Sequence, residues 1–118
     1  MDAATGEAFA DSDAAARMIY ERLLAAVQRF GPVEIEPKKN VIHLVAGSAF
    51  AVVHPRKSGI ILNVRMKGPI KSPRIRKSDQ LSPNRSHNEL WVSSVGEIDT
   101  ELLKWLKEAY AMGAGKPA

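Results

Sequence analysis

The sequence predicts an α+β domain: an antiparallel sheet of about five strands with an N-terminal and a C-terminal helix packed on one face. Three observations carry this expectation. Apolar residues recur at helical spacing only near the two ends of the chain, while the middle breaks into short runs of β-branched residues. Gly, Ser and Pro turn signals separate those runs, with no helix-length segment between them. Strands that follow one another this closely pair antiparallel.

Residues 1–13 read as a flexible, partly helical lead-in, and 14–112 as the single domain. A helix is predicted from about Ala14 to Phe30, capped by Ser12 or Asp13, with Ile19, Leu23, Ala26, Val27 and Phe30 forming its apolar stripe. Gly31-Pro32 ends it, because glycine accepts a positive φ and proline prevents continuation. Strands are predicted at Val33–Glu36, Val41–Val45, Ala49–His54 and Ile60–Met66. Lys67–Asn88, with three prolines, four serines and six basic residues, reads as a long basic loop (67–88). A last strand over about Glu89–Ser93 leads to Ser94-Val95-Gly96-Glu97, which has capping-box form. The second helix buries Leu102, Leu103, Leu106, Ala109 and Tyr110, and 113–118 reads as a flexible tail.

Strand parity predicts the two sheet faces. If Phe50 and Leu62 point to the helices, Ile42, Leu44, Val52, Ile60, Val64, Met66, Leu90 and Val92 join them. The opposite face then collects Val41, His43, Val45, Ala49, Ala51, Val53, Ile61, Asn63, Arg65, Glu89 and Trp91, with His54 on the helix side. Such a face is more apolar than a free sheet surface, so a cover is expected: first the 67–88 loop, then a second copy of the chain, then another partner.

Charge is segregated along the chain. Pro37–Leu90 holds eleven basic and two acidic residues, whereas the flanks are acidic and the net charge is only +4. A cationic middle of this kind suits an anionic partner. The candidate anion or nucleic-acid contacts are Lys39, Arg56, Lys57, Arg65, Arg74 and Arg76, because guanidinium groups make bidentate contacts with phosphate. In an extended segment Arg74 and Arg76 would send their side chains to the same side. His43, Ile61 and Trp91 form a candidate interface, where Trp91 offers a base a stacking surface.

Other function classes lose their support. With no cysteine there are no disulfides, thiolate catalysis or cysteine-ligated metals. The three histidines have no His-x-x-x-His spacing and no acid cluster beside them, so neither a metal site, a catalytic residue nor a cofactor is predicted. Neither Gly47-Ser48 nor Ser58-Gly59 matches a phosphate loop. No run of about 18 apolar residues spans a membrane. The acidic N-terminus does not resemble a secretory signal, so a cytoplasmic location is expected.

Several short pieces in order resemble a small bacterial family, domain of unknown function 5655. They are Ile19-Tyr20-Glu21-Arg22-Leu23, Gly31-Pro32-Val33, Pro37-Lys38-Lys39, Phe50-Ala51-Val52, Pro55-Arg56-Lys57 and Ser72-Pro73-Arg74-Ile75-Arg76-Lys77. Glu97-Ile98-Asp99 and the run Leu102 to Tyr110 complete the likeness, which covers about residues 14–112. The resemblance implies basic positions at Lys39, Arg56, Lys57 and Arg74, and a binding or accessory module rather than a self-sufficient enzyme. Where relatives alternate basic residues with histidine in the last strand, this chain has Asn88-Glu89-Leu90-Trp91-Val92. The expected function is a small binding domain that meets nucleic acid or another phosphate-bearing polyanion through its basic middle. The alternative is a protein-interaction or homodimer module using the apolar sheet face.

Overall fold

The computed structural model describes residues 2–114. The chain runs α1 (Ala3–Ala8), α2 (Ala14–Gln28), β1 (Glu34–Pro37), β2 (Ile42–Ala46), β3 (Ser48–Pro55), β4 (Ile60–Met66), β5 (Ile75–Ser82), β6 (Arg85–Val92), a 3-10 turn at Val95–Glu97 and α3 (Thr100–Ala114). Among the described residues the strands form one six-stranded antiparallel sheet in the order β1-β2-β3-β4-β6-β5. This is the predicted α+β class with N-terminal and C-terminal helices, enlarged by one strand. The tail expected over 113–118 lies, from residue 115 onward, outside the described residues.

The additional strand comes from the segment read as a loop. Pro69 and Pro73 precede β5, and Pro83 occupies the two-residue turn between β5 and β6, so the prolines bracket the strands and interrupt neither. Beyond Ile75, β5 is exposed on both faces, which suits its serine-rich and charged composition at the sheet edge. The last strand correspondingly begins at Arg85, four residues before the expected Glu89.

Local chemistry sets the helix ends. The Asp13 carboxylate accepts from the Ala16 amide at 3.1 Å and caps α2. The same carboxylate accepts from the Ser58 hydroxyl at 2.8 Å, while the Asp13 amide donates to the Lys57 carbonyl at 2.7 Å, tying α2 to the β3–β4 turn. At the far end of α2, Gly31 takes a φ of +151° and Tyr110 packs where a side chain would stand. The Tyr110 hydroxyl donates to the Pro32 carbonyl at 3.0 Å. The Ser94–Glu97 pattern closes the 3-10 turn rather than opening the long helix, and Asp99 caps α3 by accepting from the Leu102 amide at 3.0 Å.

Both long helices pack on one face of the sheet. Ile19, Leu23 and Val27 of α2 and Leu102, Leu106 and Ala109 of α3 are buried against Ile42, Leu44, Phe50, Leu62, Val64, Leu90 and Val92. Full burial of one such aliphatic side chain contributes about 1.5–3 kcal/mol. The segment before α2 joins the same core: Phe9 is fully buried, its ring 5.1 Å from that of Tyr20.

One bulge changes the parity. Across β2 and β3, Leu44 faces Ala51 but Val45 faces Ala49, so Phe50 is an extra residue in β3. The strands leave a one-residue turn at Gly47 (φ +76°) pairing Ala46 with Ser48, and the bulge shifts every pairing after it. Phe50 and Ala51 are both buried, Val53 follows them into the core, and Val52 turns to the opposite face. The expectation that Val52 packs under the helices while Ala51 and Val53 face outward is therefore corrected. So is the separation of His43 from His54, because both now stand on the face without helices.

The core also contains a polar anchor. Asn88 and Ser86 are fully buried on β6. The Asn88 amide donates to the Val64 carbonyl and the Ser86 hydroxyl, and its oxygen accepts from the Ile70 amide (2.9 Å) and the Ser78 hydroxyl (2.8 Å). Every hydrogen-bonding site of that side chain is occupied, which offsets the cost of its burial. The Ile70 bond holds the 67–74 segment on the helix side, where Ile70 packs on the core. The loop therefore does not cover the open face.

Replacing Phe9 with alanine is expected to cost about 3–5 kcal/mol in urea unfolding. A loss below about 1 kcal/mol, the level of an ordinary substitution, would mean that this segment is not part of the cooperative core.

Candidate functional site on the open sheet face

The face opposite the helices gathers the unusual chemistry of the chain in three rows running across the strands. Trp91, Ile61 and His54 form the first. Lys77, Glu89, Asn63, Val52, His43 and Glu36 form the second. Asp79, His87 and Arg65 form the third, and Arg65 reaches on to donate to the Ser48 hydroxyl and, at 3.4 Å, the Ala49 carbonyl. The predicted interface residues His43, Ile61 and Trp91 share this face. Trp91 is 41% exposed.

The predicted cations separate into groups. Lys39 lies in the β1–β2 turn, and Arg56 and Lys57 in the β3–β4 turn; the pairing of Ile42 with Val53 puts both turns at one end of the sheet. A hollow at that end is lined by Arg56 and Lys57 but also by Asp11 and Ser12. Arg65 lies toward the opposite end of the open face, where Met66 pairs with Ser86.

Arg74 and Arg76 do not point the same way. The Arg74 guanidinium turns to the helix side and donates to Asp99 (3.0 and 3.2 Å), Glu101 (3.1 Å) and the Glu97 carbonyl (2.8 Å). It also lies over the Trp105 ring, 5.7 Å from its centroid. Arg76 pairs with Glu89 of the open face at 3.8 Å. The register slips between Ile75 and Lys77, leaving Arg76 as an unpaired bulge residue that no longer follows strict alternation.

A small hollow of about 70 Å³ opens on this face near Arg65. His43, Val52, Asn63, Arg65, Arg85 and His87 ring it, drawn from β2, β3, β4 and β6. Arg85 and His87 were not predicted as site residues. Their signal is the alternation Arg85, His87, Glu89, which the assignment of this stretch to a loop obscured.

The electrostatics are unusual for a sheet surface. Burial, then Arg85 and Arg65, pushes His87 below the ordinary histidine value, with Asp79 opposing. Burial, then Arg56, does the same to His54, whose Nε2 lies 3.3 Å from the Asn63 amide nitrogen. Burial and Arg85 also pull Arg65 below its ordinary value, yet a guanidinium stays charged at neutral pH. The Arg65 Nε–H is buried without a partner. Among the described residues neither Arg65 nor Arg85 forms an ion pair, whereas Arg76 and Lys77 are paired with Glu89 and Asp79.

Among the described residues no group of three or more histidines or carboxylates is placed to hold a metal ion, and no helix is long and apolar enough to cross a membrane. A larger groove of about 550 Å³ runs between residues 66–71 and α3. It is mainly apolar, lined by Met66, Ile70, Trp105 and Met112 together with Lys67, Lys71 and Glu108, and the histidine cluster lies elsewhere.

These features define a small α+β domain whose antiparallel sheet is covered by helices on one side and carries a histidine- and arginine-rich surface on the other. The chain belongs to the family described as Domain of unknown function (DUF5655), whose pattern matches residues 5–113 of the 118. No curated protein and no solved structure matches it significantly.

The Arg74 cluster yields a stability prediction. The Leu102 amide above all holds the Asp99 carboxyl below its ordinary value of 3.8; burial opposes it, and Arg74 adds to the lowering through a hydrogen bond and its charge. Its stabilising contribution is therefore complete above that value and is lost as pH falls through the lower folded-state value. Arg74→Ala is expected to cost about 1–3 kcal/mol at pH 7 and to blunt this acid sensitivity, with Arg76→Ala inside about 0.5 kcal/mol. Equal losses for the two variants in thermal unfolding would show that the Arg74 contacts hold nothing together.

Proposed function

We propose that this domain binds a phosphate-bearing polyanion, single-stranded nucleic acid first, across its open sheet face. The observation that carries the reading is the pair Arg65 and Arg85, adjacent, without carboxylate partners, beside an unsatisfied buried N–H. Two like charges held together without a counter-ion suit an anion supplied from outside.

The rest of the face suits a strand. From Arg65 to the β3–β4 turn is five residues along β4, about 17 Å at the rise of a strand. A few nucleotides fit that span, with phosphates on Arg65 and Arg85 at one end and on Arg56, Lys57 and Lys39 at the other. Trp91, Ile61 and His54 lie between the ends as a stacking row. The groups act by charge and stacking; no step of covalent chemistry is invoked. Arg74 is left out of the contact set because its donors are already engaged.

Binding of a short single-stranded oligonucleotide is expected to weaken with salt at a log–log slope of about −3.5, or about −0.7 for each of five contacts. Arg65→Ala with Arg85→Ala should flatten the slope and weaken binding, and Arg74→Ala should leave the slope unchanged. An affinity indifferent to salt would sink the reading.

A second reading rests on a different observation, the large exposure of Trp91 beside half-buried Ile61. This apolar patch would serve a second copy of the chain or a protein partner. Sedimentation at rising concentration decides it: self-association abolished by Ile61→Arg supports this use of the face, and a monomer throughout removes it.

A further inference from the structure

We infer that the hollow ringed by His43, Asn63, Arg65, Arg85 and His87 is a receptor for a phosphate monoester, so that the open face captures a phosphorylated strand end rather than the interior of a strand. This rests on the reading of the face as a phosphate-binding surface and specifies which phosphate it takes.

The first argument is shape. Residues of four strands surround the hollow, the bulged Phe50 of β3 among them, so it is bounded across the sheet rather than drawn out along one strand. An internal phosphodiester has a chain leaving on both sides and needs a groove open at both ends. A terminal phosphate enters from one direction. At about 70 Å³ the hollow well exceeds the roughly 10–15 Å³ that a single water needs, so it has room for one small group such as a phosphate.

The second argument is charge. Two guanidinium groups and two imidazoles line the hollow, and no carboxylate does. The carboxylates that stand across the strands from its lining residues are each engaged, Asp79 with Lys77 at 3.7 Å, Glu89 with Arg76 at 3.8 Å and Glu36 with Lys38 at 3.9 Å. Two uncompensated guanidinium charges match a dianion, whereas an internal diester carries a single negative charge and would leave one of them unmatched. The donors also match. The Arg65 Nε–H lacks a partner, and arginine presents a planar fork to phosphate oxygens.

The third argument concerns protons. His87 faces Arg65 of β4, Arg85 and Glu89 of its own strand and Asp79 of β5, while His43 of β2 lines the same hollow. Burial and the two arginines favour its neutral form. A dianion seated between those arginines reverses the local field and favours the imidazolium. Binding of a monoester therefore takes up a proton, and affinity rises as pH falls through the histidine range until the phosphate dianion itself takes up a proton near pH 6 and becomes a monoanion.

The experiment titrates the full chain with one oligonucleotide sequence bearing a 5′-phosphate, a 3′-phosphate or hydroxyls at both ends, and with inorganic phosphate and a nucleoside 5′-monophosphate. Calorimetry in two buffers of different ionisation enthalpy reads proton uptake. The expected result is at least roughly tenfold tighter binding of one phosphorylated end, from additional charge-assisted hydrogen bonds. That gain should come with proton uptake, which His87→Gln removes. If inorganic phosphate or the mononucleotide binds as tightly as the phosphorylated strand, the receptor is for a free monoester and strand-end capture is overturned. Equal affinity for phosphorylated and hydroxyl ends overturns the inference and leaves the nucleic-acid reading standing. Failure of every strand to bind overturns that reading too. Circular dichroism of His87→Gln confirms that the variant folds. Should it not, Asn63→Leu, which removes an amide from the rim, gives a second test: unchanged discrimination between the ends counts against the receptor.

Discussion

The chemistry of this domain depends on one extra residue in β3. Because Phe50 is bulged between Leu44 and Val45 of the neighbouring strand, the side-chain alternation of β3 reverses at that point. Phe50 keeps its ring in the core, edge-on to Tyr110 at 5.4 Å, and Ala51 and Val53 follow it inward. Val52 and His54 are thereby delivered to the open face, alongside His43 from β2 and His87 from β6. A regular β3 would bury His54 and expose Val53. The hydrophobic anchor on one side of the sheet and the arrival of His54 beside the other two histidines are thus consequences of the same irregularity.

The opposite edge of the molecule relies on polar rather than apolar anchors. Asn88 spends its whole hydrogen-bonding capacity fastening the 67–74 segment and β5 to the sheet. Arg74 then joins that segment to the start of α3 through Asp99, Glu101 and the Glu97 carbonyl. Together they convert a basic, proline-rich stretch into an ordered wrap around the C-terminal helix. Much of the positive charge that stands out in the sequence is consumed in this way or balanced by Glu89 and Asp79. What remains unbalanced on the face is a smaller set, and position rather than number gives it meaning.

The fold was legible because it rests on periodicity and punctuation. The stripes Ile19-Leu23-Val27 and Leu102-Leu106-Ala109, the Asp13 cap and the Gly31-Pro32 stop all act locally and predicted both helices. The β5–β6 hairpin was not legible: an edge strand exposed on both faces has the composition of a loop, and only pairing with β6 distinguishes the two. Nor was the bulge legible, since nothing in Ala49-Phe50-Ala51 distinguishes a bulge from regular strand, and its location depends on how β2 and β4 pack around it. The candidate site inherits that limit. His43, Ile61, Trp91 and Arg65 were found from β2, β4 and the C-terminal half of β6, where alternation holds. His54, His87 and Arg85 were missed because their placement depends on a bulge and on a strand start that lie outside local sequence. Arg74 was legible as a cation but not as an occupied one, because its acidic partners Asp99 and Glu101 are 25 and 27 residues away.

The two rims of the sheet carry a consequence for how anything can meet this protein. One rim is the four-residue β1, which ends in proline and presents Glu34 and Glu36; the other is β5, studded with Arg76, Lys77 and Asp79. Backbone hydrogen-bonding groups on both rims are thus guarded by charge, brevity or a missing donor, the features that keep a strand from recruiting another strand. Sideways growth of the sheet, whether with another copy or with an extended peptide, is disfavoured at either border. An extended strand finds no ready edge at either border.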